Sequence, residues 1–239
     1  MLAMSAAMAA PAPDAMASAL RVTPIRIEVP PGDRFCAITL ANDGDLPVSV
    51  QIRGFRWSRS GKGGDVLEPA GGLVINPTIV TLGGGMSRLI RCSLPRAENA
   101  GPEGVREETW RLLFDELATA DGPARPGEIR TLLRISVPIF RAGQEARVDL
   151  AWEPSSRADG GSIVAIVNRG SRHARVLSIE MVSPSGQATH VKQGGYVLAG
   201  GRLEFAVPGG NMASIAEVRV HTEEAVFTAS RLADAGDGR

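Results

Sequence analysis

From Leu20 onward, apolar and polar residues alternate with a period of two, in short runs that stop at glycine, proline or an Asn-Asp pair. That period sends successive side chains to opposite faces of an extended chain, so each run reads as a strand with one face for a core and one for water. Val22, Ile25, Ile27 and Val29 alternate within RVTPIRIEV (21–29), which a proline interrupts and Pro30-Pro31-Gly32 ends. FCAITLAN (35–42) stops at Asn42-Asp43-Gly44, and VSVQIRGFRW (48–57) runs into the glycine-rich stretch 60–64. Short strands are expected at 72–76 and 78–82, then MSRLIRCSL (86–94) after three glycines. ETWRLLFDELA (108–118) fits helix or strand by its apolar positions, and its strand-rich surroundings favour strand. EIRTLLRISVPIF (128–140) reads as a long strand rich in β-branched residues. After Arg141-Ala142-Gly143-Gln144 the pattern restarts, with runs at 148–152, 161–168, 174–182, 188–191, 196–200, 202–207, 216–221 and 225–232.

Strand spacing of about 8–12 residues, in two stretches of roughly 100 residues each, predicts an all-β protein of two β-sandwich domains. The expected domains are residues 20–141 and 145–232, with a frayed tail at 233–239. Residues 1–19 are rich in Ala and Met, carry one charge at Asp14, and form a leader-like segment outside the fold. The small-x-small triplets Ala7–Ala9 and Ala15–Ala17 resemble a signal-peptidase site, although a basic start is missing. No apolar run reaches the ~20 residues a membrane helix needs, so no membrane insertion is expected.

Composition narrows the function. Lys+Arg and Asp+Glu are both 26 and the net charge is zero, which speaks against a nucleic-acid surface. Three histidines and two cysteines, with no short ligand spacing, predict no metal and no cofactor. No nucleophile–base or paired-carboxylate constellation is visible. Asp115 and Glu116, for instance, alternate faces on a strand, so an enzyme is not expected. Cys36 and Cys92 fall on strands that neighbour each other in such a sandwich, open to a disulfide or to two buried thiols.

The order of motifs resembles the periplasmic pilus-assembly chaperones of chaperone–usher secretion, in the archaic branch associated with spore-coat-U-like subunits. The resembling pieces are LRVTPIRIEVPPG (20–32), ITLANDGDLPVSVQIRGFRW (38–57), INPTIVTLGGGMSRLIRCSL (75–94), EETWRLLFDEL (107–117) and LLRISVPIF (132–140), followed by Trp152 and Asn168-Arg169-Gly170. The resemblance implies two immunoglobulin-like domains set at an angle with a cleft between them. It implies a periplasmic protein that caps pilus or coat subunits by donor-strand complementation, a recognised form of strand addition, and delivers them to an outer-membrane usher. A two-domain adhesin or structural subunit is the alternative.

The donor element matching the family is 128–140, with Ile129, Thr131, Leu133 and Ile135 expected to enter the client. The resemblance also implies a cleft arginine that holds the client's C-terminal carboxylate, and Arg26 matches it by its place in VTPIRIEVPPG. The family's companion lysine corresponds to Val137, and the only lysines, Lys62 and Lys192, lie elsewhere. Arg88, Arg91 and Arg134 are candidate replacements, since guanidinium binds carboxylate bidentately. Arg141 resembles the hinge arginine, with Glu107 as its expected partner.

Overall fold

A computed structural model describes residues 19–59, 64–96, 106–118, 131–156, 160–207 and 215–232. Residues 1–18 of the leader-like segment, the tail 233–239 and donor residue Ile129 lie outside these. Among the described residues no helix is long and apolar enough to cross a membrane. The chain forms strands β1 (Leu20–Thr23), β2 (Ile27–Glu28), β3 (Phe35–Asn42), β4 (Val48–Arg59), β5 (Asp65–Pro69), β6 (Val74–Asn76), β7 (Ile79–Leu82), β8 (Ser87–Ser93), β9 (Glu108–Glu116) and β10 (Arg134–Arg141). Beyond the connecting stretch come β11 (Leu150–Ser156), β12 (Ser162–Asn168), β13 (Ala174–Val182), β14 (Ala188–Val191), β15 (Gly195–Val197), β16 (Arg202–Ala206), β17 (Glu217–Thr222) and β18 (Val226–Arg231).

The first ten strands make two sheets. One has the order β1-β3-β8-β6, the other β2-β10-β9-β4-β5 with β7 also on β4. Their inner faces bury Ile38, Leu40, Ile90 and Leu94 against Val50, Ile52, Trp110, Leu112, Phe114, Val137 and Ile139. Within the segment 108–118 the chain is strand over Glu108–Glu116, because its neighbours on both sides are strands and its alternate residues reach the core. The run 21–29 is split, with a cis Thr23-Pro24 bond after β1. β1 then pairs with β3 in one sheet and β2 with β10 in the other, so this segment crosses between layers. β5 is a strand the sequence reading left out. All five of its residues are exposed, so it carries no apolar stripe.

The last eight strands form one sheet ordered β14-β13-β17-β18-β11-β12-β16, with β15 on β13. Trp152, Ile166 and Phe205 from one end share a core with Ile179, Val218 and Val220 from the other, so the sheet wraps over on itself as a second sandwich. Both sandwiches use the same corner. Asn42 Nδ2 donates to the carbonyls of Leu46, Leu82 and Gly83, while its Oδ1 accepts the Gly44 N–H. Asn168 Nδ2 donates to the carbonyls of Arg172 and Val197, while its Oδ1 accepts the Gly170 N–H. Such buried amides fix a turn by satisfying backbone groups that water cannot reach. The glycine is needed, because a Cβ at Gly170 would strike the backbone of Arg147 and Asp149.

Trp57 and Phe140 of the first sandwich cluster with Tyr196 and Leu198 of the second. These side chains set the floor of the contact between domains.

Candidate functional site

β10 is hydrogen-bonded to β9 along its whole length, from Arg134↔Asp115 to Arg141↔Glu108. On its other side β2 reaches only Ile139 and Phe140. Among the described residues, no strand lies beside Arg134–Pro138 on that edge. The Phe140 carbonyl points outward, accepting the Val29 N–H, while the Leu133 carbonyl points inward to the Glu116 N–H. Backbone groups alternate sides along a strand, so those of Arg134 and Ser136 face the open edge. Pro138 has no N–H to present, as suits an edge strand.

Burial along one face of β10 falls off toward its N-terminal end. Ile139 and Val137 are fully in the core, Ile135 packs partly against it, Leu133 is half-buried and Thr131 is exposed. The opposite face begins with exposed Arg134 and Ser136. The start of β10 therefore carries its apolar side chains out beyond the sandwich that anchors its end.

Charges hold both ends of this strand. At the start, Asp115 accepts hydrogen bonds from Arg134 and from Arg53, the latter at 2.7 and 3.0 Å. Burial pushes the Asp115 carboxyl up, but the Arg134 and Arg53 hydrogen bonds outweigh it and hold the pKa below the ordinary aspartate value. At the end, Arg141 donates to Glu108, at 2.5 Å from Nη2 and 2.8 Å from Nε, and to the Pro95 carbonyl at 2.9 Å. The expected Arg141–Glu107 pair is thus replaced by Arg141–Glu108. Glu108 is the residue directly across the ladder from Arg141, and one step along the chain turns a side chain to the other face.

Glu107 instead joins the two domains. Its carboxylate, fully buried, lies 2.9 and 3.0 Å from His173 Nδ1 and accepts the His173 backbone N–H at 2.9 Å. The other imidazole nitrogen lies 3.8 Å from Glu28. Phe140 stacks on the ring with centroids 3.6 Å apart. Glu28 has its pKa raised, chiefly by burial and further by Glu107, against the opposing pull of His173. These three groups bring ligand atoms within 4.8 Å of one another, a spacing a cation could use. With Nδ1 engaged by Glu107 and the Arg26 guanidinium 3.3 Å from Glu28, the arrangement works as a charge clasp.

Beside the clasp, Arg26 meets Glu223 of the second domain at 2.5 Å. Arg175 holds the other oxygen of that carboxylate at 2.8 Å and donates to the Tyr196 hydroxyl at 3.0 Å. Arg26 is therefore in the cleft. Arg88 and Arg91 are exposed on β8, in the other layer of the first sandwich, and Arg134 is committed to Asp115. Cys36 and Cys92 face each other across β3 and β8 and form a disulfide, which resolves the alternatives the sequence left open.

No family model and no curated protein matches the sequence. Solved structures do. A chain of the CsuC–CsuE chaperone–tip adhesion subunit pre-assembly complex from archaic chaperone–usher Csu pili of Acinetobacter baumannii aligns over 90% of this chain and 99% of its own. Its TM-score is 0.69 and its identity 20%. The E. coli chaperone DraB aligns over 90% and 97%, at TM-score 0.60 and 19% identity. The Salmonella enterica complex of SafA pilin with the SafB chaperone gives the same coverage, at TM-score 0.60 and 14% identity. The chain has the fold of the pilus-assembly chaperones. That chaperone fold is the pair of immunoglobulin-like sandwiches described above, set around a cleft. Within it, the sequence had not picked out His173, Glu108, Arg175 or Glu223. Their roles come from contacts between residues far apart in the chain, which no local pattern records.

Proposed function

We propose that this protein is a periplasmic assembly chaperone that binds unfinished pilus or coat subunits through β10 and passes them to an outer-membrane usher. The observation that carries this reading is the open edge at Arg134–Pro138. A subunit sandwich lacking a strand exposes an apolar groove flanked by unpaired backbone groups, a surface prone to aggregation. An edge strand with outward N–H and C=O groups completes that ladder, while its alternate side chains fill the groove. Ile129, Thr131, Leu133 and Ile135 share the parity suited to insertion, and each large apolar side chain buried contributes about 1.5–3 kcal/mol. The role is one of binding rather than catalysis, and it needs no cofactor. The Cys36–Cys92 disulfide supports an oxidising compartment such as the periplasm.

Leu133→Asp tests the reading by placing a charge where an apolar side chain should enter the subunit. Leu133 is half-buried and precedes β10, so the free protein keeps its fold. Co-expressed with a spore-coat-U-like pilus subunit, the variant should lose co-purification that the unaltered protein retains. Undiminished co-purification would contradict the insertion of this face.

A further inference from the structure

Ile179 and Met181 of β13, with Val218 and Val220 of β17, point into the core of the second sandwich. Successive side chains alternate faces, so Glu180 and His221 stand on the outer face. Ladder register puts His190 of β14 directly beside Glu180, and His221 opposite Ser178, one diagonal step away. Two of the chain's three histidines thus flank one carboxylate, from the strands on either side of it. Spacing along the chain hides this arrangement, because the three residues meet only through the sheet.

His221 Nε2 lies 3.5 Å from Glu180 Oε2, and His190 Nε2 lies 4.0 Å from Oε1. His221 Nε2 is shielded from water and, among the described residues, makes no hydrogen bond. A shielded polar atom without a partner calls for one, and an unprotonated imidazole nitrogen offers its lone pair to a metal. Zinc bonds of about 2.0–2.2 Å, set tetrahedrally, put neighbouring ligand atoms about 3.3–3.5 Å apart. His221 and Glu180 already stand at that separation. His190, with 56% of its side chain exposed, is free to reach it by leaning across the carboxylate. Arg219 is the competing cation, 3.6 Å from Oε1. Its Nε is bonded to Glu217 at 2.5 Å, so it keeps a partner when a metal takes Glu180. The interdomain clasp also gathers a histidine and two carboxylates, yet there Nδ1 is held by Glu107 and Glu28 by Arg26.

We propose that His190, His221 and Glu180 bind a zinc ion on the outer face of the second sandwich. Two imidazoles and one carboxylate are a donor set that suits a borderline cation such as Zn²⁺. The ion bridges β14, β13 and β17, and so ties β14, at the edge of the sheet, to its neighbours. Three protein ligands leave one position for water. The site does not depend on the chaperone reading.

Calorimetric titration with Zn²⁺, on full-length protein freed of any affinity tag and stripped with a chelator, tests the proposal. A single Zn²⁺ should bind per chain and raise the melting temperature. Losing an outer-shell partner of a metal site costs about 10–100-fold in affinity, so losing a ligand through His190→Ala, His221→Ala or Glu180→Gln should weaken binding at least about tenfold. His190 is exposed, so its variant keeps the fold and carries the test by itself. With Co²⁺ in place of zinc, the visible bands of a four-coordinate ion should appear and be lost in His190→Ala. Glu28→Gln, which removes a carboxylate from the clasp, should leave binding unchanged. Absence of saturable binding, binding that survives both histidine substitutions, or binding lost with Glu28→Gln would overturn the proposal.

Discussion

His173 of the second domain reaches into the first and sets its Nδ1 2.9 and 3.0 Å from the two carboxylate oxygens of Glu107. Both side chains are buried, so the pair is shielded from salt and from competing water. Two sandwiches joined by a short connection would otherwise hinge freely. Here the clasp, the stacked Phe140 and the Trp57–Tyr196 contact fix the cleft that holds Arg26.

Removing one member of a buried pair leaves the other without a partner, which is costlier than the pair is favourable. His173→Ala should therefore destabilise the protein by about 3–5 kcal/mol in urea denaturation. His173→Ala combined with Glu107→Gln should recover part of that loss. A double variant whose destabilisation is the simple sum would contradict the coupling.

Asp115 gives the start of β10 an acid limit. Its folded pKa lies below the ordinary value, so the folded state holds fewer protons than the unfolded one. The stability it contributes is complete above the unfolded aspartate value of about 4 and is lost as pH falls through the lower folded value. Both arginine partners are substantially exposed, so the contribution is only about 1 kcal/mol. Asp115→Asn should lower stability at pH 7 and flatten its decline below pH 4, as read by thermal melts across pH. An unchanged acid limb would contradict this.

Cys36 and Cys92 close a loop spanning 56 residues across two core strands. Replacing both with Ala should cost about 2–4 kcal/mol, because the cross-link restricts the unfolded chain. A reductant should lower the melting temperature of the unaltered protein and leave that of the double variant unmoved. Equal melting temperatures for the two in oxidising buffer would contradict a structural disulfide.

Much of this architecture was legible because half-buried strands write their faces into the sequence as a period of two. Val22, Val50 and Ile52 alternate with polar neighbours, and all reach the core. Arg26 was singled out only by the resemblance of VTPIRIEVPPG to the family's motif. Glu107 and Glu108 were not separable by eye, since adjacent acidic residues at a strand's start differ only in which face the ladder register gives them. Nor could the Arg175–Glu223 contact be read. It joins a strand to a turn 48 positions away in a wrapped sheet, and nothing local marks either residue.

Ser136→Pro tests the central claim most directly. The Ser136 N–H faces the open edge, so proline removes a hydrogen bond available to a guest strand while sparing the ladder with β9. Ser136→Ala controls for the lost hydroxyl contact with Arg111. In gel filtration after co-expression with a spore-coat-U-like subunit, the unaltered protein and Ser136→Ala should elute as a complex, and Ser136→Pro should elute alone and folded. Co-elution of Ser136→Pro with the subunit, at the level of the unaltered protein, would show that this edge is not where the subunit binds.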